Sequence, residues 1–432
     1  MNRLEGLHRA DAAIVGGGLT GLLLGSALAQ AGMQVAVLDA SEGRKDAPAC
    51  AVSMLGCAPA LTRAASARGL DAIRPYAAGL QAQLHALLDA SLPYVRPSAE
   101  YAYAQAGELS TLDARHGLLQ ALQIPVSIAE DAGGCPFPVA LSMTARAGLI
   151  DLNRWQEALE TALCRRGGQI FRASRVIGLR SGRVITSQGC MEAPQIILTT
   201  GKPLGLRARP LLALLESRRL AQCTLTGMDP LHSCQRSVRR EGLAFHPVAE
   251  GIAVQWDAGR IGTPKQQAQL LSFEATLRRF FPAGTPFSLR FAQAVSPLDG
   301  LPVIGPLADP PAQCIAGTDG CGVLGAMHAA EVMARRLLGH ARPEDSLYLP
   351  DRRLPRSIRR RAMGRCRQAC LTSMLRRKAP VCAHCGCALR YGTAVRCWEC
   401  PYCGTCYSML GQVLCAPGTQ NAHLSVLQRP DL

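Results

Sequence analysis

Lysine is nearly missing from this chain. Four residues in 432 are Lys, so the formal net charge of +16 is carried almost wholly by arginine. Aromatic side chains are also scarce, at 4% of the sequence, which leaves Leu, Ala, Val and Ile to fill the core. No run of about 18 uncharged apolar residues occurs, so no membrane-spanning helix is expected. The nearest candidate, 19–31, is shorter and carries Gly, Ser and Gln. No secretory signal is read near the start, where Ala12–Val15 follows Asp11 and is broken at once by Gly16-Gly17-Gly18. A cytoplasmic protein is therefore expected.

Charged residues are 18% of the chain and hydrophobic ones 48%, a balance that excludes disorder and points to two or three globular domains. Nineteen cysteines in so long a chain read as reduced thiols or metal ligands rather than a disulfide scaffold. Seven of them crowd between Cys382 and Cys406. The charge is uneven as well: residues 351–432 hold 14 Lys/Arg against 3 Asp/Glu, while residues 1–350 hold 33 against 28.

The first forty residues read as strand, glycine turn, helix, strand. Ala12–Val15 and Gln34–Leu38 are short apolar runs of the kind buried on both faces of a parallel sheet, and Leu22–Ala31 between them is a Leu/Ala helix ended by Gly32. Gly16, Gly18 and Gly21 stand as G-x-G-x-x-G at the strand–helix junction. The first permits the tight turn, the second lets backbone approach a diphosphate, and the third lets helix and sheet pack closely. The free N–H groups and partial positive charge of the helix start then face an anion. Asp39, 21 residues after Gly18, ends the second strand, where a carboxylate accepts hydrogen bonds from ribose.

Further along, residues 58–92 show helical spacing, as do 153–165. Short strands are expected near 169–173, 176–180, 183–186 and 196–198. Residues 218–295 look strand-rich with a helix near 266–280. A strand at 313–316, a Gly-rich turn at 317–322 and a helix over 323–338 follow.

At this point the sequence resembles the D-amino-acid oxidase and glycine oxidase family of flavoproteins. The likeness covers roughly residues 10–340. It rests on the N-terminal unit, on Gly148-Leu149-Ile150-Asp151 with the helix and the Val176 strand after it, on Ile196-Ile197-Leu198-Thr199-Thr200-Gly201, and on Ser296-Pro297-Leu298-Asp299-Gly300-Leu301-Pro302-Val303-Ile304-Gly305 followed by Gly317–Gly322. The resemblance implies an α/β fold, a Rossmann-like FAD-binding domain interleaved with an α+β substrate domain. FAD-binding parts are expected at about 8–80, 145–205 and 296–342, and substrate-domain parts at about 81–144 and 206–295. It implies FAD near Val176 and Gly201, and flavin-ring contacts from the backbone of Gly320, Gly322 and Val323.

The implied chemistry is oxidation of a C–N bond in an amine or amino-acid derivative by hydride transfer to flavin N5. A 2-hydroxy-acid dehydrogenase of similar fold and a flavin-binding scaffold are the alternatives. Relatives acting on amino acids carry an Arg just before the Pro-Asp-Gly loop, and the matching place here holds Gln293 or Ala294. Arg290, Gln293, His246 and Tyr101 are the substrate-side candidates, each equally readable as a half-buried or surface side chain of a β-rich domain.

The tail divides into a basic connector at 343–378 and a Cys-rich module at 379–432. In the module, Cys382-x-x-Cys385-Gly and Cys400-Pro-x-Cys403-Gly read as two metal knuckles of a four-cysteine site for Zn or Fe. Cys382-x-His384 with Cys400-Pro-Tyr402-Cys403-Gly404 resembles the two boxes of a degenerate Rieske [2Fe-2S] module, with Cys403 where the second His is expected. Cys382, Cys400 and Cys403 are ligands in both readings, and the fourth is His384 or Cys385. An iron centre would relay electrons from reduced flavin; a zinc centre would be structural. The connector's Arg352, Arg353, Arg356, Arg359, Arg360, Arg361, Arg365 and Arg367 read as a solvated helix or linker, or a docking patch for a redox partner or partner subunit. They lack the interleaved aromatics and reading helix expected for nucleic acid.

Overall fold

The structure, a computed structural model, describes residues 2–43, 49–130, 139–203, 209–228, 231–239, 243–249, 251–282, 285–308, 311–375, 379–414 and 422. A six-stranded sheet runs in the order Val303–Leu307, Ala312–Ala316, Gln195–Gly201, Ala12–Val15, Val35–Leu38, Gln169–Phe171. It is parallel except at Val303–Leu307. Residues of Ala12–Val15 and Val35–Leu38 are all buried because both faces are covered. Ala12, Ile14, Val35 and Val37 pack towards the helices, among them Leu19–Gln30 and Gly322–Leu337. Ala13, Val15, Ala36 and Leu38 pack with Val176, Val184 and Met191 of a four-stranded sheet on the other side.

The second large sheet has nine strands. Its main path is Thr285–Pro297, Leu215–Thr226, Gly251–Arg260, Leu243–Val248, Cys234–Ser237, Val95–Ala104, Leu141–Ile150, Cys50–Ser53. Both edges return to the Gly-rich turn before the Gly322–Leu337 helix. At one edge the Val295 N–H donates to Asp319 (2.7 Å). At the other, Cys50–Ser53 runs into the helix Met54–Arg68, whose Ala60 lies beside Gly320. The two sheets therefore frame one region, centred on residues 317–322.

Three expectations need refinement. The helical stretch 58–92 is two helices, Met54–Arg68 and Leu70–Asp89, because Gly69 between them takes φ +85°. The strand Val95–Ala104 has no counterpart among the expected elements, since it carries Arg96, Pro97 and Glu100. The basic connector contains a helix, Arg356–Leu375, one of the two forms expected, but that helix is not solvated all round: it buries Ile358 and Ala362 against Leu211, Leu212 and the Cys-rich module. Six of its arginines (353, 356, 359, 360, 361 and 367) are exposed. Arg352 is not part of that surface, because it is buried and forks onto both oxygens of Asp299 at 2.9 Å. Although burial alone would raise the Asp299 pKa, Arg352 and Arg68 hold it below the ordinary carboxylate value. Among the described residues no helix is long and apolar enough to cross a membrane.

Candidate functional site

The nucleotide end is built from missing side chains. Gly16 takes φ +116°, and its N–H donates to Leu38 O (2.8 Å), closing the turn against the neighbouring strand. A Cβ on Gly21 would stand 2.0 Å from Gly16 O, so only glycine lets the helix lie this close. A Cβ on Gly17 would stand 2.4 Å from Asp39 Oδ2, which places that carboxylate over the turn. Asp39 Oδ1 is fixed by the Ser41 N–H (2.8 Å) and hydroxyl (2.6 Å), leaving Oδ2 oriented towards the helix mouth. Gly18 caps the Leu19–Gln30 helix without a side-chain bond, and among the described residues nothing lies within 4 Å of where its Cβ would be. Helix N–H groups facing such a gap are unsatisfied donors suited to a diphosphate. Thr199 stitches the cradle, its hydroxyl bonding Val15 O (3.1 Å) and Gly16 O (2.9 Å).

The other expected cofactor residues lie around the same sheet. Val176 is buried at the start of its strand on the four-stranded layer. Gly201 (φ +74°) ends Gln195–Gly201, and its carbonyl accepts from the Gly317 N–H (3.2 Å). Gly320, Gly322 and Val323 form the turn and first residues of the Gly322–Leu337 helix, and the space around a Gly322 Cβ is open. Burial raises the Asp319 pKa to about 6, against the opposing pull of the Val295 N–H and the Lys202 charge.

The four substrate-side candidates do not form one cluster. Gln293 and Arg290 share the strand Thr285–Pro297 but stand three positions apart, hence on opposite faces. Gln293 donates to Gly404 O (3.0 Å) of the Cys-rich module, while Arg290 is exposed. Tyr101 is half-buried on Val95–Ala104, opposite Thr144 and Gln235. His246 is buried and its Nε2 lies 2.7 Å from Ala49 O, so Nε2–H donates there. Burial pushes its pKa down to about 4.

Sequence reading missed a buried polar set beside them. Ser53 caps the Met54–Arg68 helix by accepting from Leu55 N (3.0 Å) and Gly56 N (3.3 Å), and its hydroxyl bonds Glu100. Glu100, 1% exposed, accepts from Arg236 Nε (3.0 Å). Their separations along the chain, 47 and 136 residues, leave no local signal by which to find them.

In the module, two knuckles carry the same hydrogen bonds. Gly386 N donates to Cys382 O (2.8 Å) and Gly404 N to Cys400 O (2.9 Å). Cys382 N donates to Cys387 O and Cys400 N to Thr405 O, both at 2.9 Å. Gly386 and Gly404 take φ +72° and +73°. The knuckles bring Cys382, Cys385, Cys400 and Cys403 together, all buried, with sulfur atoms within 4.8 Å of one another. Sulfur–sulfur distances of 3.4, 3.7 and 3.7 Å are far too long for disulfides. They approach the ~3.8 Å edge of a tetrahedron with ~2.3 Å metal–sulfur bonds. His384 is buried and interacts with Cys403, while the four side chains whose donor atoms converge are all cysteines. Tyr407 OH (3.2 Å from Cys382 Sγ) and Thr405 Oγ1 (3.1 Å from Cys403 Sγ) supply hydrogen bonds around the sulfurs.

A glycine cradle for a diphosphate, a carboxylate at the end of the next strand, and a second helix start at the same sheet define a dinucleotide-dependent oxidoreductase. The chain belongs to the DAO family of FAD-dependent oxidoreductases, whose profile matches residues 11–336. Among solved structures, it is similar in fold to glycine oxidase from Geobacillus kaustophilus, at 18% identity and TM-score 0.64, covering 81% of this chain and 100% of that one. It is also similar to L-amino acid deaminase from Proteus vulgaris, at 14% identity and TM-score 0.59, covering 82% and 100%. Iminodiacetate oxidase from Chelativorans sp. BNC1 matches at 16% identity and TM-score 0.58, covering 78% and 98%. No curated protein sequence matches the chain. The protein is thus an FAD-dependent oxidoreductase. The residues present fit the cofactor: Gly18, Asp39 and Gly322 leave open or face the space that side chains would otherwise fill.

Proposed function

We propose that this enzyme oxidises the C–N bond of an amine or an N-substituted amino acid, and that its tail carries one tetrahedrally bound zinc or iron ion. FAD, when bound, would supply a hydride acceptor at flavin N5 for the substrate α-hydrogen; the substrate's C–N bond would become an imine that water hydrolyses. The first-helix N–H groups and Asp39 would hold the nucleotide, and the backbone of residues 320–323 would lie at the flavin ring. Protein groups around the substrate serve chiefly to position it and exclude water.

The observation that carries the substrate class is at Gln293. The place where amino-acid-oxidising relatives keep an arginine holds Gln293 or Ala294, neither of them a cation, and the Gln293 amide is already bonded to Gly404 O. The guanidinium across the strand from Gln293, Arg219, is already paired with Glu399, so neither position 293 nor position 294 offers a bidentate fork to a free carboxylate, which favours amines and substituted amino acids, opine-like compounds included, over simple ones. The test is anaerobic mixing of the FAD-loaded protein with a panel of secondary amines, N-carboxyalkyl amino acids, simple amino acids and 2-hydroxy acids. Bleaching of the flavin band should be fastest with substituted amines, with one amine and one oxo compound released per flavin reduced. Bleaching by hydroxy acids alone would overturn the reading in favour of a dehydrogenase. No bleaching by any of them would favour a scaffold.

The four-thiol geometry supports the ion. Convergent buried thiols on two knuckles with matching hydrogen bonds are a preformed donor set, and iron in it would let the tail relay electrons from the flavin. Metal analysis should give one ion per chain in the purified protein and none in Cys400→Ser.

A further inference from the structure

The metal knuckle does not stand apart from the oxidoreductase domain. Its second turn is pressed into the strands that lead to the flavin-side loop. A Cβ on Gly404 would come within 2.6 Å of Gln293 Nε2 and Ser217 Oγ, and 2.7 Å of Lys202 Nζ. Lys202, one of the chain's four lysines, is 2% exposed, and its ammonium donates to Cys403 O at 3.0 Å. Cys403 is one of the four clustered thiols. Lys202 directly follows Gly201, whose carbonyl receives the Gly317 N–H at the head of the Gly-rich turn. The Lys202 charge also acts on Asp319 in the middle of that turn, and Asp319 in turn takes the Val295 N–H. A continuous path therefore runs from a metal-ligand residue through a buried cation to the turn assigned to the flavin ring.

We infer that ion occupancy of the Cys382/Cys385/Cys400/Cys403 site and FAD binding are coupled, with Lys202 as the positioning residue between them. The inference rests on the metal and FAD assignments above. Without the ion, four thiols have no common centre to hold the Cys400–Cys403 knuckle closed, and the Cys403 carbonyl that fixes Lys202 loses its place. Lys202 then no longer holds the end of the Gln195–Gly201 strand in place, and with it the Gly201 carbonyl that receives the Gly317 N–H at the head of the Gly317–Gly322 turn. A coupling of this kind is reciprocal: whatever factor the ion adds to FAD affinity, FAD adds to ion affinity.

The test uses full-length protein freed of flavin, with the ion retained or stripped by a chelator and its content measured. FAD affinity is read by quenching of flavin fluorescence. Stripping wild type should weaken FAD binding about tenfold or more. Lys202→Met, with its ion still bound, should already be weakened to a similar degree, and stripping it should change FAD affinity less than about threefold. Lys202→Arg should restore part of the coupling. Non-additivity of this kind separates a shared path from general damage to the fold. If stripping unfolds the chain, the intact protein decides the matter: saturating FAD should raise ion affinity by about the same tenfold.

Ion-loaded wild type whose FAD affinity is unchanged on stripping would overturn the coupling and leave the metal centre standing. A Lys202→Met variant that responds to stripping as wild type does would overturn the path. Protein that takes up neither zinc nor iron would overturn the metal assignment and the coupling with it.

Discussion

The nucleotide cradle and the Cys-rich module are both turns suited to a charged guest, yet they are made in opposite ways. The cradle works by omission. Gly16, Gly18 and Gly21 remove side chains so that backbone N–H groups can meet an anion, and one carboxylate, Asp39, reaches in from the next strand. The module works by provision, with four thiolates converging from two knuckles. A cradle is therefore broken by adding atoms and a knuckle by removing them. The cradle is also internal to its sheet, whereas the module needs separate latches to the body. Lys202 and Gln293 bond its second knuckle, and Arg219 pairs with its buried Glu399 and lies 3.3 Å from Cys406 Sγ.

The largest effect should come from adding one methyl group to the cradle. In Gly21→Ala the Cβ would meet Gly16 O at 2.0 Å and Thr199 Oγ1 at 2.8 Å. Backbone cannot yield there without parting helix from sheet. FAD affinity should fall about 100-fold or more, with a loss of thermal stability in the flavin-free protein too. Gly18→Ala sharpens the contrast. Gly18 has φ −76° and open space around its Cβ position. Its flavin-free stability should hold while FAD binding weakens, because the methyl enters the anion's space alone. Equal melting losses in the two variants, measured without FAD, would break the picture of a cradle in which one glycine serves packing and another serves the ligand.

A smaller effect is expected at the latch. Arg219→Met leaves Glu399, fully buried, without its cation. Breaking a buried pair from one side costs about 3–5 kcal/mol, whereas replacing both partners costs far less. Arg219→Met should thus lower the unfolding midpoint, first in probes of the module such as Trp398 fluorescence. Arg219→Met with Glu399→Gln should recover much of the loss. If the double variant is no better than the single, the latch is not an ion pair in energetic terms.

How much of this can be read from sequence follows the same division. The cradle is legible because its grammar is local: two continuous apolar strands, three glycines at fixed spacing and a terminal acid lie within forty residues. The Cys knuckles are legible for the same reason, but the choice between His384 and Cys385 is not. Adjacent residues on one turn differ only in which way they point, and it is Cys385 whose sulfur lies with those of Cys382, Cys400 and Cys403. Arg352 reads as surface charge because its partner Asp299 lies 53 residues away. Glu100 hides the strand Val95–Ala104, since an acid in a strand argues against burial until Arg236 and Ser53 are seen beside it. Lys202 gives no signal at all, being one lysine after a strand, and only the docking of the tail shows what it touches.

The smallest effect tests whether the substrate-side histidine belongs to the framework or to the chemistry. His246 is held neutral by burial, with a pKa pushed down to about 4 from an ordinary 6.5. The unfolded chain therefore binds a proton that the folded chain refuses, across the window between those values. Stability is complete above about pH 6.5 and is lost as the pH falls towards 4, at ~1.4 kcal/mol per pH unit for one such group. His328, also pushed down to about 4 by burial, adds a second contribution of the same sign. Asp319, raised to about 6, opposes them, because its folded form gains a proton below that pH that the unfolded form takes up only near 3.8. In His246→Gln, which keeps a donor for Ala49 O, the unfolding free energy should fall less steeply between pH 6.5 and 5, by ~2 kcal/mol over that interval. Turnover at pH 7 should change little. A variant with the wild-type pH slope and a large loss of turnover would move His246 from the framework to the reacting site, and with it the border between the part of this enzyme that supports and the part that reacts.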